Sequence, residues 1–287
     1  MWQPIEWKGY LNYENDFPEH LYRYRSINIA SIDRLIDFEL CEEGIFLAGL
    51  GDLNDPSEGR FLIEFCKDRE KILKFFLNAT QSSYPDHKIQ LQVAQTCTRN
   101  VILSNYKATE DIAKNIKFIF DRIFRVACFT ERPLNTPMWA HYAKYIDGDN
   151  SKERGGICIE YKIDSEFRAL NLHPILYKDE VPILEIDEKL EEFPNLTFYT
   201  KESSWGYEKE WRISGVIKAM PPFPDNLNTN SRVKLKSTIS AIIFGEQTPQ
   251  DIVDIIIKRV KAANSSIEFR RAVWSLSNQE LIMKTII

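Results

Sequence analysis

Features that would identify an enzyme class at once are scarce in this chain of 287 residues. It has five cysteines, an odd number, and no C-x-x-C pair. It has four histidines, without the H-x-x-x-H or H-E-x-x-H spacing of zinc sites. Reduced thiols in the cytoplasm are therefore the expected state, and no metal is expected.

Long apolar runs, an apolar leader and glycine-rich phosphate loops are also missing. No window approaches the ~18 apolar residues that span a bilayer, and the opening MWQPIEWKGY is polar overall. Neither membrane association nor a signal peptide is expected. The G-x-S-x-G, G-x-G-x-x-G and P-loop motifs do not occur. The net charge is −5 and no long basic run exists, so only a local basic groove stays open as a nucleic-acid site.

What the chain does contain is an ordinary globular composition with alternating strand and helix signals. Hydrophobic residues make up 44% and charged residues 28%, which is typical of a soluble domain. LYRYRS, FRVACFTE, GGICIEYKI and ISAIIFGE have the patterns of strands. Residues from about 61 to 124 indicate helices instead. The prediction is a single α+β domain over residues 1–287, with a mixed or antiparallel sheet core and a helical insertion at about 61–124.

Two helix starts carry capping signals. Asn28 precedes residues with helical apolar spacing and is the predicted N-cap. Thr136 as N-cap, Pro137 as first helical residue and Gly148 as the stop predict a second helix. This second helix carries Trp139 and Tyr142 near its N-terminus, so it is either an aromatic platform for a nucleotide or a core helix with an aromatic seam.

The stretch KESSWGYEKEWRI is rich in both charges and aromatic residues. If residues 207–213 form a strand, Glu208, Glu210 and Arg212 share one face, with Tyr207 and Trp211 on the other. Arg212 then holds one glutamate ionised while the other faces a ligand. A solvated charged face is the alternative.

Arginines alternate with tyrosines in LYRYRS. Arg23 and Arg25 lie on one face of the predicted strand, where they either clamp phosphates or pair with acids of the same sheet. The turn at Asn54 and Asp55 is either part of a site or purely structural. A nuclease with metal-bound Asp52, Asp55 and Glu58 is a further alternative, although three acids in one loop suit a two-metal site poorly.

In order along the chain, LYRYRS, NDPSE, CFTERPLNTPMWAHYA, GGICIEY, YKDEVP, WGYEKEWRI and IIFGE resemble a bacterial family described only as a domain of unknown function. That family carries no assigned activity. The same order is similar, more distantly, to ADP-ribosyltransferases of the DNA-modifying toxin type. In that comparison Arg23 occupies the place of an opening histidine, and Glu210 that of the catalytic glutamate.

The ADP-ribosyltransferase resemblance implies a sheet of that fold and NAD as the substrate. Glu210 would stabilise the oxocarbenium-like state at the nicotinamide ribose, and Glu208 would orient the acceptor or act as base. The residues implied to bind NAD are Arg23, Tyr24, Ser26, Asn54, Trp139 and Tyr142.

The implied activity is NAD-dependent ADP-ribosyl transfer or NAD glycohydrolysis by a cytoplasmic toxin or antiphage effector. A nucleic acid or protein would be the acceptor, and an antitoxin or defence-system protein the partner. A non-catalytic nucleotide-binding or regulatory module of a defence system is the alternative from another class, and the metal-dependent nuclease is the third.

Overall fold

The computed structural model describes residues 2–4, 17–55, 61–170, 172–186, 199–217, 231–234 and 238–286. The strands are β1 (Trp2–Pro4), β2 (His20–Arg25), β3 (Ile27–Asn28), β4 (Gly44–Leu47), β5 (Leu62–Phe65), β6 (Phe124–Thr130), β7 (Tyr145–Asp147), β8 (Asn150–Lys152), β9 (Ile157–Lys162), β10 (Leu172–Pro174), β11 (Leu176–Tyr177), β12 (Ile183–Ile186), β13 (Thr200–Lys201), β14 (Glu210–Ile217), β15 (Ser231–Lys234), β16 (Ile239–Phe244), β17 (Glu268–Ser275) and β18 (Glu280–Thr285). The α-helices are α1 (Ile32–Arg34), α2 (Arg69–Thr80), α3 (His87–Leu103), α4 (Glu110–Ile123), α5 (Thr136–Tyr142), α6 (Ser165–Arg168) and α7 (Gln250–Ala263). Short 3₁₀ helices span Ile29–Ser31, Leu50–Asp52 and Ser203–Glu208, and a π-helix spans Leu35–Cys41.

A nine-stranded sheet forms the centre of the molecule, in the order β1-β14-β6-β2-β9-β16-β17-β18, with β10 also paired to β14. The pair β16 and β17 is parallel and is connected through α7, whereas the other neighbours are antiparallel. A parallel pair needs such a crossover connection, while antiparallel pairs do not. The predicted α+β class with a mixed sheet is confirmed.

The sheet opens between β2 and β6. Tyr22 and Thr130 form the one residue pair that joins these strands, while β2 pairs with β9 along its whole length. Further along β6, Val126 pairs instead with Ala48 from the loop after β4, through two backbone hydrogen bonds of 2.8 and 2.9 Å. The two strands therefore diverge, and the space between them is available to a ligand.

Two large hydrophobic clusters cover the sheet. One combines Trp211 and Ile213 of β14 with the apolar face of α7, which buries Ile252 and Ile256. The other joins the opposite face of β6, through Val126, to helices α2 to α4. The predicted helical insertion therefore begins with a strand, because β5 pairs with β12, and its helices occupy residues 69–123.

One of the predicted helix caps is confirmed, and the predicted start and end of the second helix are wrong. Asn28 caps as predicted, accepting a hydrogen bond from the backbone of Ala30 at 3.0 Å. The N-cap of α5 is Asn135 rather than Thr136, since its side chain accepts from Met138 N at 3.4 Å. Gly148 does not end α5, which stops at Tyr142; it lies between β7 and β8 with φ of +57°, where glycine is favoured. In the part of the chain described, no helix combines the length and apolarity needed to cross a bilayer.

Candidate functional site

A cavity of about 630 Å³ occupies the opening between β2 and β6. This volume lies in the range of natural small-molecule sites, roughly 300 to 1,000 Å³. Its walls come from β2, β6, the segment after β4, the end of α5 and the start of β14. The predicted site residues that line it are Arg23, Tyr24, Ser26, Asn54, Tyr142, Glu208 and Glu210.

A buried network of two acids and two bases forms one wall of the cavity. The Lys201 ammonium donates to Glu208 Oε2 at 2.6 Å and to Glu210 Oε2 at 3.2 Å. Arg212 donates to both oxygens of Glu210, through Nε at 2.6 Å and Nη2 at 3.2 Å. Glu208 and Glu210 are only 2% and 4% exposed, so each charge depends on these partners rather than on water.

The pKa values of the two glutamates in this network shift in opposite directions. Burial opposes ionisation of Glu210, but Arg212 and Lys201 outweigh it and lower its pKa to about 2. Burial and the neighbouring Glu210 raise the pKa of Glu208, and Lys201 and Tyr142 offset only part of that rise. Glu210 is therefore a permanent anion, whereas Glu208 gains a proton more readily than an ordinary glutamate.

Two tyrosines contact the glutamates of this network, and of these Tyr142 lines the cavity. Tyr142 OH donates to Glu208 Oε1 at 2.7 Å, and burial, with Glu208 next, raises the pKa of Tyr142. Tyr177 OH accepts the backbone N–H of Glu210 at 2.8 Å. An ionised carboxylate has about four lone-pair sites, so Glu208, with one donor on each oxygen, keeps capacity for a ligand hydroxyl.

The local backbone here differs from the predicted strand. Residues Ser203–Glu208 form a 3₁₀ helix, and β14 begins only at Glu210. Between them Lys209 has a left-handed conformation with φ of 46°, which is uncommon for a side-chain-bearing residue. The row of Glu208, Glu210 and Arg212 still lies together, and Trp211 still points to the opposite face. The alternative of a solvated charged face is wrong, because all three are buried.

Arg23 and Arg25 of β2 line the cavity across β6 from the acids. Arg23 is buried; its Nη2 donates to Phe46 O at 2.8 Å and its guanidinium lies 5.8 Å from the Phe129 ring centroid. Among the described atoms, Nη1 of Arg23 has no hydrogen-bond partner. Arg25 is half-exposed and pairs with the buried Glu39 at 2.6 Å. One guanidinium donor is thus uncommitted.

The remaining predicted contacts take different roles. Ser26 Oγ donates to Tyr142 O at 3.0 Å and accepts from Lys144 N at 3.1 Å, which ties the end of β2 to the end of α5. Asn54 is exposed at the cavity rim. Trp139 is 1% exposed and is not among the lining residues. Its Nε1 donates to Pro133 O, and its ring packs edge-on against Tyr24 at 5.1 Å, so it supports the wall from behind.

Lys201 and Tyr177 were not predicted. Lys201 is the first residue of KESSWGYEKEWRI. Nothing in the spacing of that stretch indicates that its side chain contacts Glu208 and Glu210. Tyr177 comes from β11, which pairs with β13, the strand of Lys201. Contacts of this kind depend on tertiary pairing rather than on local spacing.

The acids proposed for a nuclease do not form a metal cluster in the described part of the chain. Asp52 and Asp55 line the cavity, but Asp52 accepts the Gly49 backbone N–H at 3.2 Å. Glu58 lies outside the described residues. Among the described side chains, no group of three or more histidine, cysteine or acidic residues is placed to hold a metal ion.

The five cysteines are free thiols. Burial raises the pKa of the Cys158 thiol, followed in effect by Glu160, so this thiol is a poor nucleophile.

Comparison with protein-family models, with curated proteins and with solved structures gives no match to this chain. The resemblance to the bacterial family and to ADP-ribosyltransferases stays a prediction.

Proposed function

We propose that the cavity binds NAD and that the chain transfers or hydrolyses its ADP-ribosyl group, on a sheet of the ADP-ribosyltransferase kind. One observation carries this: the ionised Glu210, its neighbour Glu208 and a partly uncommitted arginine, Arg23, line a single cavity of about 630 Å³ on either side of β6. Such a site suits a ligand with anionic phosphates and a sugar that becomes cationic.

The reaction would break the bond between ribose C1′ and the nicotinamide nitrogen, whose electron pair leaves with nicotinamide. An acceptor oxygen or nitrogen, or water, then bonds to C1′ and releases a proton. The positive charge that develops on the ribose is stabilised by a carboxylate that does not become protonated. Glu210 meets that condition because Arg212 and Lys201 hold its pKa far below neutrality.

Glu208 has the complementary properties. Its raised pKa and its spare lone pairs suit a group that accepts a ribose hydroxyl or takes up the acceptor's proton. Tyr142 fixes its orientation and lines the cavity, where its ring can stack on a flat base. Arg23 would hold a phosphate or the adenosine ribose through its free Nη1.

A second candidate is a nucleotide-binding module without catalysis, in a defence system. The observation that favours it is the neutrality of the network: Lys201 and Arg212 match Glu208 and Glu210 charge for charge. For the enzyme, the biological role we propose is a toxin or antiphage effector. For the module it is nucleotide binding or regulation within a defence system, and in both cases the partner is an antitoxin or defence protein.

The test is nicotinamide release from NAD by the purified protein, with water, DNA or protein as acceptors. We expect Glu208→Gln and Glu210→Gln each to lower the rate about 100-fold or more. The matched control is Glu43→Gln, which also alters a buried glutamate but one that binds Thr238 N at 2.6 Å and does not line the cavity.

Circular dichroism separates loss of chemistry from loss of fold in these variants. NAD binding without nicotinamide release under any acceptor would favour the binding module. Absence of both binding and release would overturn the proposal, as would equal activity in Glu208→Gln, Glu210→Gln and the control.

A further inference from the structure

Among the strands that the structure describes, β18 is the last of the nine-stranded sheet, and its outer edge has no strand beside it. An exposed edge carries unpaired backbone donors and acceptors and is a template for pairing with another strand. Its neighbour β17 pairs with it over six residues, from Arg270 with Thr285 to Ser275 with Glu280. Exposed apolar side chains surround this hairpin: Trp274 is 41%, Leu276 86% and Ile286 36% exposed.

The backbone groups that face outward follow from the register. Ile286 N donates to Phe269 O at 2.9 Å, which makes 286 and 269 a hydrogen-bonded pair. Since antiparallel pairs alternate, residues 280, 282 and 284 also direct their N–H groups at β17. The N–H and C=O groups of Leu281, Met283 and Thr285 therefore point away from the sheet.

Within one chain, Lys284 of β18 stands beside a residue of the same charge. Lys284 lies directly opposite Arg271 on β17, and like charges in that position are destabilising. Arg271 is itself engaged with Gln250 Oε1 at 3.1 Å and with the carbonyls of Glu246 and Thr248. A carboxylate brought to the outer side of Lys284 would relieve this repulsion.

We propose that two copies of this chain pair through β18, antiparallel, about a two-fold axis at Ile282. The two strands can hydrogen-bond only through residues whose backbone N–H and C=O groups face outward, which limits the possible registers. In the register centred on Ile282, Leu281 of each copy exchanges hydrogen bonds with Met283 of the other. Glu280 of each copy then stands opposite Lys284 of the other, in the pair type that brings side chains closest. The next allowed register, centred on Met283, places Glu280 opposite Ile286 instead and leaves Lys284 without a carboxylate.

The same register explains the exposed apolar residues at the ends of the hairpin. The turn of residues 276–279 of one copy runs beside Ile286 of the second copy, so Leu276 lies at each end of the pairing. A two-fold interface is self-complementary, so each favourable contact occurs twice. The inference stands independently of the proposed NAD chemistry, because β18 contributes no lining residue to the cavity.

The experiment is sedimentation across a concentration series, with charge variants on β18. The wild-type chain is expected to be a reversible dimer. Lys284→Glu and Glu280→Lys each create two like-charge contacts and should weaken the dimer about tenfold or more. The double variant E280K/K284E restores opposite charges and should return the dimer to near wild-type affinity.

One of these variants and one further variant keep the test independent of folding. Lys284→Glu places a carboxylate opposite Arg271, so the folded chain itself should be no less stable. Met283→Pro removes an outward N–H that β17 does not use, and should abolish dimerisation. Lys88→Glu, the same change on the exposed start of α3, is the control. A monomer at every concentration, or a dimer indifferent to the β18 changes, would overturn the proposal.

Discussion

Lys201 is the residue on which the charge state of the site depends. Its ammonium is buried, which disfavours the charged form, yet Glu210 and then Glu208 raise its pKa above the ordinary lysine value. It also lies 4.5 Å from the Trp205 ring centroid, a cation–π contact that further stabilises the cation. Without Lys201, Arg212 would be the one remaining cation of the network for the carboxylates of Glu208 and Glu210.

Lys201→Met should therefore shift the acid limb of the rate of nicotinamide release to higher pH. The ammonium lowers the pKa of Glu208, so its removal lets that carboxyl take up a proton closer to neutrality. The pH–rate profile is the measurement, and Lys201→Arg is the control that keeps the positive charge.

Stability should fall in the same variant by about 3 to 5 kcal/mol, because one partner of a buried ion network is lost. Chemical denaturation at neutral pH measures this. An unmoved acid limb in a folded Lys201→Met protein would contradict the role given to Glu208.

At the scale of single residues, the sequence predicted the acids of the site but not Lys201 and Tyr177, which contact them. The predicted grouping of Glu208, Glu210 and Arg212 is right, although Glu208 precedes the strand and only the other two follow its alternation. Tyr142 of MWAHYA lines the cavity. Trp139 was expected at the ligand but packs behind Tyr24, because a large indole is stabilised most by full burial.

Among the elements, α5 and the 3₁₀ helix Ser203–Glu208 are joined by one side chain. Asn135 caps α5 through Met138 N and donates from Nδ2 to Tyr207 O at 2.7 Å. Its backbone N–H also donates to Tyr24 OH at 3.3 Å. The cap thus fixes the segment that carries Glu208 relative to the helix that carries Tyr142.

Asn135→Ala should lower the free energy of unfolding by about 1 to 2 kcal/mol and also reduce nicotinamide release. The stability loss comes from the cap, and the activity loss from the freed Tyr207 segment. Denaturation curves and initial rates measure the two effects.

Asp164→Ala is the matched control for this change. Asp164 caps α6 by accepting from Phe167 N at 2.8 Å and does not line the cavity. It should lose comparable stability and keep its activity. Equal activity losses in both variants would show that Asn135 acts through stability alone.

Elements with strong periodicity were predictable, and their junctions were not. The strands β2 and β9 follow from the residue patterns of LYRYRS and GGICIEYKI. The break at Lys209 does not, since a lysine with positive φ has no sequence signature. Its carbonyl accepts the backbone N–H of Glu131, a residue far away in the chain, at 3.3 Å. Likewise, β5 was assigned to a helical insertion because its partner β12 lies more than a hundred residues away.

At the scale of the whole molecule, the class of the fold was accessible from sequence and its topology was not. Strand order in the sheet places β14 and β2 on either side of β6, although they are far apart in the chain. Because of this long-range pairing, Arg23 and Glu210 line the same cavity. Local patterns predict that each segment is a strand, but not which strand stands beside it.

The divergence of β2 from β6 has a consequence for deuterium labelling. Ile163 N donates to Glu19 O, so by alternation the N–H of Tyr24 points away from β9 and into the opening. That amide should exchange within the earliest labelling times, while its neighbours Arg23 and Arg25, bonded to β9, exchange late. A ligand that fills the gap should slow Tyr24 selectively, and mass spectrometry of overlapping peptides would register it even in a variant that turns nothing over.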